Sequence, residues 1–107
     1  MAIKSTEEIK KIVRRYYKIL LDNGYPLAKV YLFGSFSRNE QNEDSDIDLA
    51  IVLRKFSNDR FDTRLELMKY SREFDEIIEP HPFLLSEFNK SNPFATEIIE
   101  TGIELYS

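Results

Sequence analysis

Two aspartates, Asp46 and Asp48, open a run that reads Asp-Ile-Asp-Leu-Ala-Ile-Val-Leu over residues 46–53. In a strand, residues i and i+2 project to the same side, with Cα atoms about 7 Å apart at a rise of ~3.3 Å per residue. The two carboxylates can therefore converge on one cation. Left alone on a half-buried face, like charges that close repel or raise one pKa, so the pattern calls for a positive partner. Magnesium suits it, because that ion takes carboxylate oxygens, keeps several waters and completes its shell with substrate phosphates.

Upstream, Gly34-Ser35 ends an apolar run and supplies a residue without a Cβ followed by a hydroxyl. Backbone amides at such a bend can approach phosphate oxygens closely. Arg38 adds a positive charge four residues beyond Gly34. A phosphate cradle, a cation and paired metal ligands together fit an in-line displacement at phosphorus, with stabilisation of the attacking and leaving oxygens. The chemistry implied is nucleotidyl transfer.

These groups need elements to hold them. Ser5 and Glu8 have the form of a capping box, and Ile9, Ile12, Val13, Tyr16, Ile19 and Leu20 recur at helical spacing up to Asn23-Gly24. After Pro26, residues 28–33, Lys29 apart, are apolar, β-branched or aromatic on both alternating faces, as in a strand covered on both sides. Residues 37–45 are polar and turn-prone and are expected to form an exposed loop. In the strand over 46–53, Ile47, Leu49, Ile51 and Leu53 share the core face; Ala50 and Val52, beside Asp48, imply that the other face is also buried farther along.

Beyond residues 54–58, Phe61, Leu65, Met68, Leu67, Tyr70 and Phe74 suit a helix, followed by a strand over 76–83. Pro80 and Pro82 make that strand an edge strand or a broken one. Residues 86–89 and 94–101 read as short helical pieces, Gly102 as a stop and residues 103–106 as a terminal apolar tail. Tyr16, Tyr17 and Tyr31 are expected in the core or at its edge.

The 107 residues make one domain with a single core, and 42% hydrophobic with 32% charged residues is a globular composition. The absence of cysteine excludes disulfides and thiolate sites, and one histidine argues against a histidine cage, so a metal is expected on oxygen ligands. A formal net charge of -4 disfavours a long nucleic-acid substrate. No apolar signal region opens the chain, and no apolar run approaches the roughly 20 residues that span a bilayer, so a cytoplasmic protein without membrane attachment is expected.

The stretch Leu32-Phe33-Gly34-Ser35-Phe36-Ser37-Arg38, followed by Ser45-Asp46-Ile47-Asp48-Leu49-Ala50-Ile51, resembles the glycine-serine and aspartate motifs of the minimal nucleotidyltransferases in the DNA polymerase beta superfamily. The resemblance covers nearly the whole chain. It implies an α/β (α+β) nucleotidyltransferase fold: a small mixed sheet of three or four strands, helices mainly on one face and the site on the other. By that resemblance Gly34, Ser35, Arg38 and Ser45 bind ATP, and Asp46 and Asp48 bind magnesium, with two ions expected. The family's third carboxylate falls on the strand after the next helix, where Glu79 is the choice over Glu76. The family often has aspartate at that position, and relatives commonly carry glycine where Asn39 stands.

Relatives of this type resemble the antitoxin members of two-gene pairs whose partner is a helical HEPN protein, which implies AMP transfer from ATP to a hydroxyl of that partner. A small hydroxylated acceptor is a second reading, although 107 residues leave little room for an acceptor domain. A third is a binding module without catalysis. Plainer readings stand beside each residue: Gly-Ser alone is ordinarily a turn, Asp46 and Asp48 could line a solvated face, and Arg38 could be a surface arginine. His81, on the same face as Glu79, reads first as a packed or solvent-bonded side chain between prolines, and Glu40, Glu43 and Asp44 as a solvated loop.

Overall fold

The computed structural model describes residues 6–34, 46–56, 58–72 and 77–107. Among them the chain order is α1 (Thr6–Asp22), β1 (Leu27–Phe33), β2 (Ile47–Leu53), α2 (Arg60–Ser71), β3 (Ile78–Leu84), a 3-10 turn (Leu85–Glu87), α3 (Pro93–Thr101) and β4 (Ile103–Tyr106). The sheet order is β3-β2-β1-β4. β1 runs antiparallel to both β2 and β4, whereas β2 and β3 are parallel and joined through α2, the crossover that a parallel pair requires. Ser5, the loop at 37–45 and Phe74 lie outside the described residues.

α1 forms because its apolar residues recur at spacings of four and three, which buries Ile9, Val13, Tyr16 and Leu20. It stops at Gly24, whose φ of 82° lets Gly24 N–H reach Leu21 O and Tyr25 N–H reach Leu20 O, the paired closure of a Schellman end. Asp59 caps α2 by accepting from the Asp62 N–H at 2.8 Å, and Asn92 caps α3 by accepting from the Phe94 and Ala95 N–H groups. Among the described residues, no helix is long and apolar enough to cross a membrane.

Two apolar clusters lie on opposite faces of the sheet. One gathers Ile47, Leu49, Ile51 and Leu53 of β2 with Val30, Leu32 and Ile78 beneath α1 and α2. The other sets Tyr31, Ala50, Val52 and Phe83 against Phe88 and the α3 residues Ala95 and Ile98. Two of the three helices therefore share one face, and α3 covers part of the face that carries Asp48. That cover is the burial that Ala50 and Val52 required.

β3 is an unbroken edge strand. Ile77 O accepts from Ile47 N, so odd-numbered residues turn their backbone groups toward β2 and even-numbered ones toward the open edge. Pro80 and Pro82 fall on that open side, where a missing N–H costs no ladder bond. The terminal tail is a further correction: residues 103–106 form β4, which pairs with β1 through Tyr31↔Glu104 and Leu32↔Ile103.

Candidate active site

The site lies where β1 ends and the parallel strands β2 and β3 run side by side. In their register Asp48 stands beside Glu79 and Ala50 beside His81. Neighbours in register on parallel strands project to the same face, so Glu79 joins Asp48 on the side away from α1 and α2. His81 lies diagonal to Asp48, next to the small methyl of Ala50. Its Nε2 is 3.4 Å from Asp48 Oδ1, and one ligand atom from each of Asp48, Glu79 and His81 lies within 4.8 Å of the others. Asp48 and His81 are part-buried, while Glu79 is exposed.

Gly34 sits against this cluster. β1 pairs with β2 up to Phe33↔Asp48, so the next residue turns directly over the Asp48 carboxylate. Gly34 takes a φ of 78°, a left-handed conformation that residues with a Cβ rarely adopt. A Cβ there would overlap the Asp48 carboxylate and lie 3.2 Å from its Cγ. The bend thus demands glycine twice over, for its backbone angle and for the carboxylate packed beneath it.

Aromatic rings frame the imidazole. Phe33 meets His81 edge-on with ring centroids 5.1 Å apart, and Phe94 approaches His81 at 6.3 Å and Phe33 at 5.8 Å. Phe94 reaches the cluster because Pro93 and the Asn92 cap start α3 there. These rings restrict the imidazole and exclude water from one side of it.

Of the residues singled out in the sequence, Gly34, Asp48 and Glu79 are brought together. Asp46, exposed immediately before β2, is not among the three residues whose ligand atoms cluster. Ser35, Arg38 and Ser45 lie outside the described residues, as do Asn39, Glu40, Glu43, Asp44 and Glu76. His81, which the sequence reads first as a packed or solvent-bonded side chain, places a ring nitrogen inside the same group. The signal for it was in the chain: His81 follows Glu79 by two, the spacing that shares a strand face.

Asp48 and Glu79 are two carboxylates held close by register. Carboxylates so placed are stabilised by a divalent cation, and an imidazole nitrogen is an ordinary additional donor to several such ions. The donor set therefore fits a divalent metal.

Comparison with known proteins gives consistent findings. The family model described as polymerase beta, nucleotidyltransferase matches residues 7–107. The chain is 35% identical over 101 residues to the Methanocaldococcus jannaschii protein named "Putative protein adenylyltransferase MJ1379", covering 94% of this chain and 97% of that one. Among solved structures, it resembles a chain of a toxin-antitoxin crystal structure with AMP-PNP at a TM-score of 0.65 and 24% identity, covering 92% of this chain and 73% of that chain. It also resembles a chain of the structure of tri-AMPylated Shewanella oneidensis HEPN toxin in complex with MNT antitoxin, at a TM-score of 0.61 and 23% identity, covering 92% and 71%. At these identities the two structures speak for the fold.

Proposed function

The chain belongs to the polymerase beta nucleotidyltransferase family, and on that premise we propose that it transfers AMP from ATP to a side-chain hydroxyl of a partner protein. The observation that carries this reading is the packing of Gly34 on Asp48 beside Glu79 and His81, which sets a left-handed glycine bend directly on a carboxylate cluster. The acceptor class follows the relative named as a protein adenylyltransferase and the structure that holds an AMPylated HEPN toxin with its MNT antitoxin. A helical HEPN-type partner, silenced by the modification, is the acceptor we propose.

In this mechanism the left-handed turn at Gly34 brings backbone N–H groups against the triphosphate, with Ser35, Arg38 and Ser45 as further contacts to the nucleotide. Asp48 and Glu79, with Asp46 at the mouth of β2, hold magnesium, and His81 braces Asp48. When bound, the metal compensates charge on the phosphate oxygens. The acceptor oxygen forms a bond to the α-phosphorus as the bond to the β-phosphate bridging oxygen breaks, and pyrophosphate leaves. The hydroxyl proton passes to Glu79, the exposed carboxylate of the group.

The test is incubation with ATP labelled on the α-phosphate, magnesium and the protein encoded beside this gene. Label is expected on the partner with the native chain, and at least a hundredfold less with Asp48→Asn, the scale at which lost transition-state charge stabilisation shows. Tight binding without label, unchanged by Asp46→Asn or Asp48→Asn, would instead identify a module that acts by contact.

A further inference from the structure

α2 carries apolar side chains on two sides. Its inward side buries Thr63, Leu67 and Ser71. Its outward side leaves Phe61 70%, Leu65 50% and Met68 42% exposed. At about 100° per residue these three share one arc of the helix with Arg64 and Arg72, and no acidic residue falls within it. The helix's acids lie on its other flank, where Glu66 is already engaged by Tyr25 and Asn58. Arg60 is paired with Glu87, whereas Arg64 is exposed and makes no hydrogen bond or ion pair among the described residues.

This outward side runs into the site. A groove of about 400 Å³ is lined by Phe61, Arg64, His81, Phe83 and Phe94, among others. Its lining thus joins the arginine of α2 to the His81 that touches Asp48. Large apolar side chains exposed together mark a surface that another molecule covers. Resting on the transfer reading above, we propose that the α2 side and its groove seat the acceptor protein. The segment they take presents a hydroxyl flanked by carboxylates and apolar side chains.

The polarity of the groove sets the order. Carboxylates from the acceptor are attracted by Arg64 and so dock along α2. The apolar side chain lies between Phe61 and Phe94, and the hydroxyl points to the cluster. A second copy of this chain is a poorer occupant, because a two-fold contact uses the same patch on both copies and this arc of α2 carries arginines with no carboxylate to meet them.

The probe is a fluorescein-labelled helical peptide of glutamate and leucine at helical spacing around one tyrosine, followed by anisotropy. The native chain is expected to bind it at least tenfold more tightly than Arg64→Glu or Phe61→Ser does. It should also prefer it tenfold to analogues with lysine for glutamate or serine for leucine. Equal affinity across the proteins or the peptides overturns the proposal, as does sedimentation of the native chain as a dimer that Arg64→Glu dissociates. The thermal shift given by ATP with magnesium is read on the same samples and is expected to be the same in all three proteins. Peptide docking without any nucleotide shift would defeat the transfer reading and leave the docking surface standing; a nucleotide shift without docking would do the reverse.

Discussion

At the bend after β1, a backbone angle and a carboxylate compete for one small volume. Gly34 has φ 78° with Asp48 packed beneath it, whereas Gly24 has φ 82° and nothing within 4 Å of where its Cβ would stand. A Cβ in the left-handed region costs about 1–2 kcal/mol wherever it occurs. Gly24→Ala is therefore expected to lower the melting temperature and leave the stabilisation by ATP with magnesium intact. Gly34→Ala carries the same backbone cost and must also push the Asp48 side chain aside, so the nucleotide-induced shift should disappear as well. Thermal denaturation with and without nucleotide separates the two, and an equal nucleotide response in both variants would remove the link between the bend and the carboxylate. Asp48 and His81 act at this scale too: a 3.4 Å approach between a part-buried carboxylate and an imidazole braces the acid in one position.

Between elements, the contact that ties α1 to α2 is the hydrogen bond from Tyr16 Oη to Leu67 O at 2.6 Å, buried between the helices. Burial pushes the Tyr16 hydroxyl well above its ordinary value of 10.0, with a smaller contribution from Tyr25. The fold therefore favours the protonated phenol. Its contribution to stability is whole below pH 10 and declines as pH rises beyond the unfolded value of about 10. Tyr25 is shifted the same way, first by burial and then by its bond to Glu66, so it shares this alkaline dependence. Tyr16→Phe is expected to cost about 1 kcal/mol at neutral pH, the net worth of one hydrogen bond, and to flatten the loss of stability between about pH 10 and 12. Chemical denaturation at neutral and alkaline pH measures both; an unchanged alkaline slope would place the titrating group elsewhere.

For the whole molecule, β4 closes one side of the sheet. Val30↔Tyr106, Tyr31↔Glu104 and Leu32↔Ile103 pair it with β1, and the Tyr17 and Tyr106 rings stack with centroids 3.9 Å apart and planes within 6°. The Lys29–Glu104 ion pair at 3.6 Å is too exposed to contribute much. Removal of residues 103–107 strips the packing of Leu105 and Tyr106 from the core and bares the edge of β1. A loss of roughly 2 kcal/mol follows from the apolar area involved, equivalent to a fall of about 10 °C in a domain this size. Calorimetry and light scattering would read the fall and the accompanying association. A truncated chain as stable and as monomeric as the native one would show that β4 adds nothing.

Much of the fold could be read along the chain, because periodicity and turn chemistry belong to residues that are neighbours in sequence. The alternation in β2 divided Ile47, Leu49, Ile51 and Leu53 from Asp48, Ala50 and Val52, and the helical spacing of α1 named its buried side. The resemblance of its glycine bend and aspartate strand to known motifs pointed to the nucleotidyltransferase family, and those motifs too are local in the chain. What only the tertiary structure decided depends on residues far apart. The β2–β3 register that sets Glu79 beside Asp48, and brings His81 to it across 33 positions, is selected by packing on both faces of the sheet. So is the conversion of an apolar tail into β4, which needed an unpaired edge on β1. The exposed stripe of Phe61, Leu65 and Met68 is a third case: apolar residues on both sides of α2 announce a helix but not which side the core takes, and α2 lies on the sheet through Leu67. Local dihedral and spacing preferences choose the elements; long-range burial and strand pairing choose how they meet, and this site is made at such a meeting.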